Sequence, residues 1–134
     1  MTKLLIALLA LLTISNAALG HSKMSGSSPE NGATVEAGLT AVSLTFDRKV
    51  RLTRVMLAAT PAEMTLSEVM SKGEKLEDMA EVALTSALPK GFVQAVEIAF
   101  EPLNAGVYWL HWIAVAQDGH TMTGDVHFAV DAAD

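Results

Sequence analysis

Short runs in which apolar and polar residues alternate recur along this sequence and limit how it can fold. The clearest runs are Val42–Phe46, Val96–Phe100 and Val126–Val130, in which every second side chain is apolar. Successive side chains of a β-strand point to opposite faces, so a period of two is typical of a strand with one buried face and one wet face. The chain is therefore expected to fold mainly as β-structure.

One run is apolar on both faces. Val107–Val115 reads VYWLHWIAV, which is typical of a long strand in the centre of a sheet. Turn signals rich in Gly, Pro, Asn and Asp separate the runs, at 30–32, 88–91, 103–106 and 118–119. Several short strands with such turns between them predict an all-β fold, and in particular a β-sandwich.

The middle of the chain leaves two interpretations open. Thr60–Glu63 resembles a capped helix start with proline in the first turn, and Leu66, Val69 and Met70 could then line one face of a short helix. The segment 63–79 could equally be an irregular excursion that carries a short hairpin.

The N-terminus has the pattern of a secretory signal. Lys3 is followed by an apolar run, Leu4–Leu12, and then by Ala18 and Gly20 in a small-x-small arrangement. The apolar run is too short to span a bilayer. Residues 1–20 are therefore predicted to be a cleaved signal peptide, and residues 21–134 a single domain that is exported.

Cleavage after Gly20 would make His21 the first residue of the mature chain. An N-terminal histidine offers two nitrogen donors, the α-amine and the ring Nδ1, which together can close a small chelate ring around a metal. Nitrogen donors of this kind suit Cu(II). His21 is therefore the first candidate metal ligand.

Asp118 and His120 are a second candidate pair, directly after the predicted central strand. They lie two residues apart, so in extended backbone their side chains point to the same side, and Gly119 between them permits a turn. A carboxylate and an imidazole on one side of a strand end can share a metal. Together with His21 they would supply two imidazoles, an amine and a carboxylate.

Composition excludes several kinds of site. The chain has no cysteine, which rules out a disulfide framework, a zinc–thiolate site and a blue-copper thiolate site. Its formal net charge is −6 at pH 7, and we expect no cluster of basic residues in it. Such a chain is not expected to bind nucleic acid or an anionic membrane. No second long apolar stretch is present, so no membrane insertion of the mature chain is expected.

The mature sequence resembles the copper-resistance protein C (CopC) family. The resemblance begins with His21 at the cleavage point and continues through Ser28–Ala33 (SPENGA) and Leu44–Val50 (LTFDRKV), which are similar to two of the family's motifs. The later motifs are the most specific: Leu103-x-x-Gly106-x-Tyr108-x-Leu110-x-Trp112, then Asp118-Gly119-His120, then Gly124-x-x-x-Phe128-x-Val130.

The resemblance implies a seven-stranded Greek-key β-sandwich of immunoglobulin-like or cupredoxin-like form. It also implies one Cu(II) per chain, bound by the amine and imidazole of His21, the carboxylate of Asp118 and the imidazole of His120. The implied function is a monomeric, non-enzymatic periplasmic copper carrier or buffer for copper resistance and homeostasis, which could supply an inner-membrane copper transport protein.

The chain departs from family members that carry a methionine-rich loop for Cu(I), because Met56, Met64 and Met70 are scattered with no histidine among them. These residues are expected to fill the core. Met24 and Met122 are close to proposed ligands in the sequence and leave open a thioether near the copper.

The other histidines and Trp112 are assigned structural roles. His111 is expected to be a half-buried strand residue and Trp112 to pack in the core. His127 is expected to lie on a solvated face, with a supporting or secondary role at a metal as the alternative.

Two other classes of protein stay open. An N-terminal histidine with a second histidine also forms the copper brace of lytic polysaccharide monooxygenases, although this chain is short for that class and has an aspartate beside the second histidine. A metal-free immunoglobulin-like adhesion or assembly module becomes the better interpretation if cleavage does not occur before His21.

Overall fold

The computed structural model describes residues 23–72 and 79–133, so the predicted signal peptide, His21 and residues 73–78 lie outside the described residues. The elements in chain order are β1 (Met24–Ser28), β2 (Ala33–Val35), β3 (Ala41–Ala59), α1 (Leu66–Lys72), β4 (Ala80–Val82), β5 (Val93–Ala99), β6 (Gly106–Ala116) and β7 (Thr121–Val130). Within these ranges, no helix has the length and apolar character of a membrane span.

Strand β3 is long because it belongs to both layers of a β-sandwich. Its first part, Ala41–Phe46, pairs with β1 and β5, and its second part, from Val50 to Ala59, pairs with β6 and, at its end, with β4. The register with β5 is irregular between Thr45 and Val50, where the strand crosses from one layer to the other. Strand β7 then joins β6, and β2 runs parallel to β7 at the edge. The predicted seven-stranded β-sandwich is confirmed.

The alternating runs bury the faces that the sequence predicts. Strand β6 lies between β3 and β7 and is the central strand of its layer, as predicted. Its inward side chains are buried and its outward side chains are half-buried, because both of its faces are covered. The core residues from the alternating runs and β6 are Val42, Leu44, Phe46, Ile98, Phe100, Tyr108, Leu110, Trp112, Ala114, Val126, Phe128 and Val130.

The short helix is present, but it begins later than predicted. Thr60 ends β3 instead of capping a helix, since its amide and its hydroxyl both donate to the carbonyl of Val107. The cap is Thr65, whose hydroxyl accepts from the amide of Glu68 while the Glu68 carboxylate accepts from the amide of Thr65. This reciprocal arrangement is a capping box. Val69 is fully buried on the helix, whereas Met70 is 40% exposed. The expectation that Met70 fills the core is therefore wrong, because it lies on the side of the short helix that faces solvent.

The expectation that His127 lies on a solvated face is wrong. Helix α1 packs against β7, and the turn at Asn31 and Gly32 closes over the same strand. The Asn31 carboxamide oxygen accepts from the amide of His127, and the amide of Gly32 donates to the His127 carbonyl. Only 9% of the surface of His127 stays exposed, because polar alternation in a sequence does not reveal which outer faces a helix will cover.

Candidate metal site

The segment 117–120 that connects β6 to β7 carries two of the three predicted ligands. The turn is closed by the amide of Gly119 donating to the Ala116 carbonyl at 2.9 Å and by the amide of Ala116 donating to the His120 carbonyl at 2.8 Å. Gly119 has φ of 90°, a left-handed conformation that glycine adopts without strain. Asp118 and His120 therefore project from the end of the sandwich on a tight turn.

The structure brings the side chains of Asp118 and His120 together. His120 Nδ1 lies 2.8 Å from Asp118 Oδ2, and the His120 amide donates to Asp118 Oδ1 at 3.1 Å. The turn produces this convergence, not the extended backbone assumed from the sequence. The side chains are 62% exposed for His120 and 47% for Asp118, so an ion or a partner can approach both from solvent.

The first described residue is anchored near the same end of the molecule. The amide of Lys23 donates to Asp47 Oδ1 at 2.7 Å, and the amide of Asp47 donates back to the Lys23 carbonyl at 3.0 Å. Three residues after Asp47, Val50 pairs with Ala116, the last residue of β6. Three residues of a strand cover about 10 Å. The anchor and the turn that carries Asp118 are therefore neighbours.

The described residues alone supply a pair of donors and not a complete site. Within 23–72 and 79–133, no group of three or more His, Cys, Asp or Glu side chains is arranged to hold a metal. His21, the third predicted ligand, lies outside these ranges. Met24 and Met122, the two methionines near proposed ligands, both pack against the hydrophobic core.

His111 is half-buried, as predicted, but it belongs to a polar cluster away from the turn. Its Nδ1 lies 2.7 Å from Oδ1 of Asp125, its cross-strand neighbour, and Trp109 Nε1 donates to the same oxygen at 2.7 Å. Because a carboxylate accepts, these contacts select the His111 tautomer that carries a proton on Nδ1. The cluster fixes the outer face of β6 against β7.

His127 lies on that same outer face, opposite Trp109. Its Nε2 is buried and has no hydrogen-bond partner among the described residues. Burial lowers the pKa of its imidazole below the usual value of 6.5, and the nearby Asp125 opposes this effect only in part. His127 is therefore a packing residue that stays neutral near pH 7.

Sequence reasoning missed two features of this end of the molecule. It did not single out Asp47, although the aspartate follows the alternating run Val42–Phe46 directly and so lies where that run leaves the sheet layer. It also assigned no partner to Asp125, whose two bonds depend on cross-strand register. Register is not visible in an isolated strand sequence.

Two solved structures, one of a copper resistance protein and one of a CopC protein, share this β-sandwich architecture. The crystal structure of PcoC, a methionine-rich copper resistance protein from Escherichia coli, matches with a TM-score of 0.59 and 27% identity, over 83% of this chain and 99% of that chain. The structure of CopC from Methylosinus trichosporium OB3b matches with a TM-score of 0.58 over 85% of this chain and 97% of that chain. Its identity is only 19%, so this second likeness concerns the fold alone.

The family follows from the sequence comparisons. The CopC domain model matches residues 24–131. A copper resistance protein C from Xanthomonas campestris pv. juglandis is 30% identical over 125 residues, which is 93% of this chain and 91% of that protein. A second protein of that name, from Escherichia coli, is 32% identical over 113 residues. The chain belongs to the CopC family.

Proposed function

We propose that this chain is a periplasmic copper protein that binds one Cu(II) through His21, Asp118 and His120. The observation that carries the proposal is the 2.8 Å pair of Asp118 and His120 on an exposed turn, next to the point where the N-terminal segment is anchored. The relatives named copper resistance protein C support copper as the cargo.

The separation of the two side chains suits a shared metal. Metal–nitrogen and metal–oxygen bonds of about 2.0 Å at a right angle place two donors about 2.8 Å apart, which is the distance between His120 Nδ1 and Asp118 Oδ2. The present contact is a hydrogen bond, so an ion would displace the proton between the two atoms, and both groups would turn towards it. Nitrogen and oxygen donors in such an arrangement favour Cu(II).

The anchor at Lys23 limits where the third proposed ligand can lie. Strand β1 runs antiparallel to β3 and Lys23 lies beside Asp47, three residues in sequence from Val50, which pairs with Ala116. Two residues extend at most about 7 Å, which limits how far His21 can lie from Lys23. The α-amine of a cleaved His21 has a reference pKa of about 7.7–8.0, so copper displaces its proton at low cost near neutral pH.

Carriage or buffering of copper fits this ligand set better than oxidative catalysis does. Asp118 is an anionic oxygen donor that fills a coordination position and stabilises Cu(II), whereas oxygen chemistry requires an open position and a cycle through Cu(I). The proposed physiological role is copper resistance or homeostasis, with delivery to an inner-membrane copper transport protein.

The test of the site uses the processed protein purified from periplasm. Intact-mass analysis should give a chain that begins at His21, and metal analysis should give one copper per chain. His120→Ala should weaken Cu(II) binding strongly, whereas His111→Ala and His127→Ala are matched controls that should keep it. A variant with methionine retained before His21 should bind poorly, because the amine would then belong to another residue. Loss of binding in the controls equal to that in His120→Ala would mean that the ligands are misassigned.

The absence of turnover needs a separate measurement. The copper-loaded protein would be incubated with a reductant, with oxygen or peroxide, and with chitin or cellulose. We expect no release of oxidised oligosaccharides beyond a free-copper control. Copper-dependent release that disappears in His120→Ala would instead establish a lytic monooxygenase.

A further inference from the structure

The basic residues of this acidic chain are concentrated in one short segment. Arg48, Lys49, Arg51 and Arg54 make up four of its nine lysines and arginines, and no acidic residue lies between Asp47 and Glu63. All four side chains are exposed. The expectation of a chain without basic clusters overlooked this segment, because net charge averages over it.

The basic segment flanks the turn that carries Asp118 and His120. Arg51 pairs with Val115 and Val50 with Ala116, the last two residues of β6 before that turn. Arg54 pairs with Ile113 on the same outer face of the sheet. Arg48 and Lys49 precede this pairing and lie between it and the Asp47 anchor. The four cations therefore lie on the part of β3 that borders the end of β6 next to the turn.

An exposed aromatic side chain completes this surface. Phe92 is 40% exposed, and the guanidinium carbon of Arg51 lies 5.9 Å from the centre of its ring. An aromatic ring beside arginine is a combination enriched at protein interfaces. We call Arg48, Lys49, Arg51, Arg54 and Phe92 the basic face.

Within the part of the chain that the structure describes, no ion pair neutralises the basic face. Among residues 23–72 and 79–133, the ion pairs found are those of His111 with Asp125 and of His120 with Asp118, and neither involves these cations. The nearest acidic residue in sequence, Asp47, directs one carboxylate oxygen to the amide of Lys23. The basic face therefore projects a positive potential from a molecule that is otherwise negative.

We infer that the basic face docks an acidic region of a protein that exchanges copper with the Asp118–His120 turn. The location beside the turn rests on the proposed function, whereas the attraction to acidic side chains does not. A partner that takes or gives copper must bring its own ligands to the turn, which an acidic protein segment can do and a phospholipid surface cannot.

The overall charge also favours a protein over an extended anionic surface. A compact acidic patch contacts the basic face alone, whereas a membrane or a nucleic acid also meets the acidic remainder of the molecule and is repelled. Complementary charge near an exchange site mainly raises the association rate, and the effect weakens with salt. Transfer to an acidic acceptor should therefore be fast and sensitive to ionic strength.

The experiment compares two acceptor peptides that carry the same Cu(II)-binding sequence, Gly-Gly-His, followed by four aspartates or by four asparagines. Copper-loaded protein is mixed with each in a stopped-flow instrument, and transfer is followed by tryptophan fluorescence. We expect the acidic peptide to accept copper about 10-fold faster at low salt, with the advantage lost near molar salt. A protein of net negative charge with no docking surface predicts the reverse order. Equal rates, or faster transfer to the neutral peptide, would therefore overturn the inference.

Two charge-reversal variants test whether the preference for the acidic peptide comes from the basic face. Arg51→Glu should abolish the preference for the acidic peptide. Lys72→Glu changes the net charge equally, but Lys72 lies at the end of α1 and outside the basic face, so this variant should keep the preference. Arg48→Glu repeats the test at a second exposed position if Arg51→Glu does not fold. Equal loss in Arg51→Glu and Lys72→Glu would show that net charge alone is responsible.

A measurement without copper separates this inference from the proposed function. Metal-free, ¹⁵N-labelled protein is titrated with a hexa-aspartate peptide, and the largest amide shifts should fall in 48–54. This result is expected even if copper binds elsewhere. Shifts spread over the whole surface would overturn docking at the basic face. Tighter binding to phosphatidylglycerol vesicles than to the peptide would overturn the choice of a protein partner.

Discussion

The indole of Trp112 lies against Gly124, its cross-strand neighbour on β7. A Cβ atom added at Gly124 would come within 2.7 Å of the indole Nε1 and closer still to adjoining ring carbons. The indole is held from another side by Phe46, whose ring meets it edge-on with centroids 5.1 Å apart. The tryptophan therefore occupies space that a side chain at position 124 would need.

Gly124→Ala should accordingly destabilise the protein. The indole is buried and packed against Phe46, so it cannot move aside freely, and overpacking of this kind costs about 1–3 kcal/mol. Urea denaturation followed by circular dichroism measures the loss. Gly26→Ala is the matched control, because nothing lies within 4 Å of a Cβ added there, and it should change the unfolding free energy by less than about 0.5 kcal/mol. Equal effects of the two changes would contradict this account of Gly124.

The parts of the fold that the sequence predicts are those in which periodicity and burial agree. Val42, Leu44 and Phe46 are buried as the alternation requires, and the doubly apolar run became the central strand β6. Pattern within one strand decides which face is apolar, because the period of two is a local property. The turn that joins Asp118 to His120 was also recognisable from its Asp-Gly sequence.

The parts that were missed depend on contacts between segments distant in sequence. His127 is buried because α1 and the Asn31 turn cover its face, and Thr60 ends a strand because Val107 is its partner. The four basic residues could be related to the Asp118–His120 turn only through the register that places Arg51 beside Val115. Neither propensity nor composition contains these pairings, since register is set by tertiary structure.

Asp47→Ala should weaken Cu(II) binding although Asp47 is not a proposed ligand. The carboxylate holds the amide of Lys23 at 2.7 Å, and losing it would loosen the segment that leads to His21. Changes to groups that orient metal ligands typically cost 10–100-fold in affinity, and a loss of about 10-fold is expected here. Competition with a chromophoric chelator measures it.

Glu97→Ala is the control for that experiment. Glu97 is an exposed carboxylate on β5, paired in register with Ser43, so its removal changes the net charge equally without touching the anchor. It should leave the affinity within about twofold. Equal weakening by both variants would show that charge, not anchoring, is responsible.

Asp125→Ala should destabilise the outer face of β6. It removes the acceptor of both Trp109 Nε1 and His111 Nδ1, and the partly exposed site lets water compensate in part, so about 1–2 kcal/mol is expected. Trp109 should also become more mobile, which tryptophan emission would report. Asp131→Ala is the control, because Asp131 is exposed. Its backbone amide donates to the Val35 carbonyl, and this hydrogen bond is kept when the side chain is removed. An unchanged unfolding free energy in Asp125→Ala would refute a structural role for the cluster.

His127 should make the metal-free protein less stable as the pH falls below about 6.5. Burial lowers the pKa of its imidazole in the folded state, and Asp125 counteracts this only partly. Between the two pKa values, the unfolded chain binds a proton that the folded chain does not bind. Stability is then fully present above the unfolded pKa and is lost as the pH falls towards the folded one.

The variant His127→Gln removes this titration and keeps the other three histidines. Urea denaturation of both metal-free proteins at pH 7.5, 6.5 and 5.5 isolates the contribution of His127, because titrations common to both proteins cancel in the difference. The unfolding free energy of the wild-type protein should fall more steeply than that of the variant, by at most about 1.4 kcal/mol per pH unit for one group. Parallel curves would mean that His127 accepts a proton equally well in the folded and unfolded states, which is incompatible with a buried Nε2 that lacks a partner.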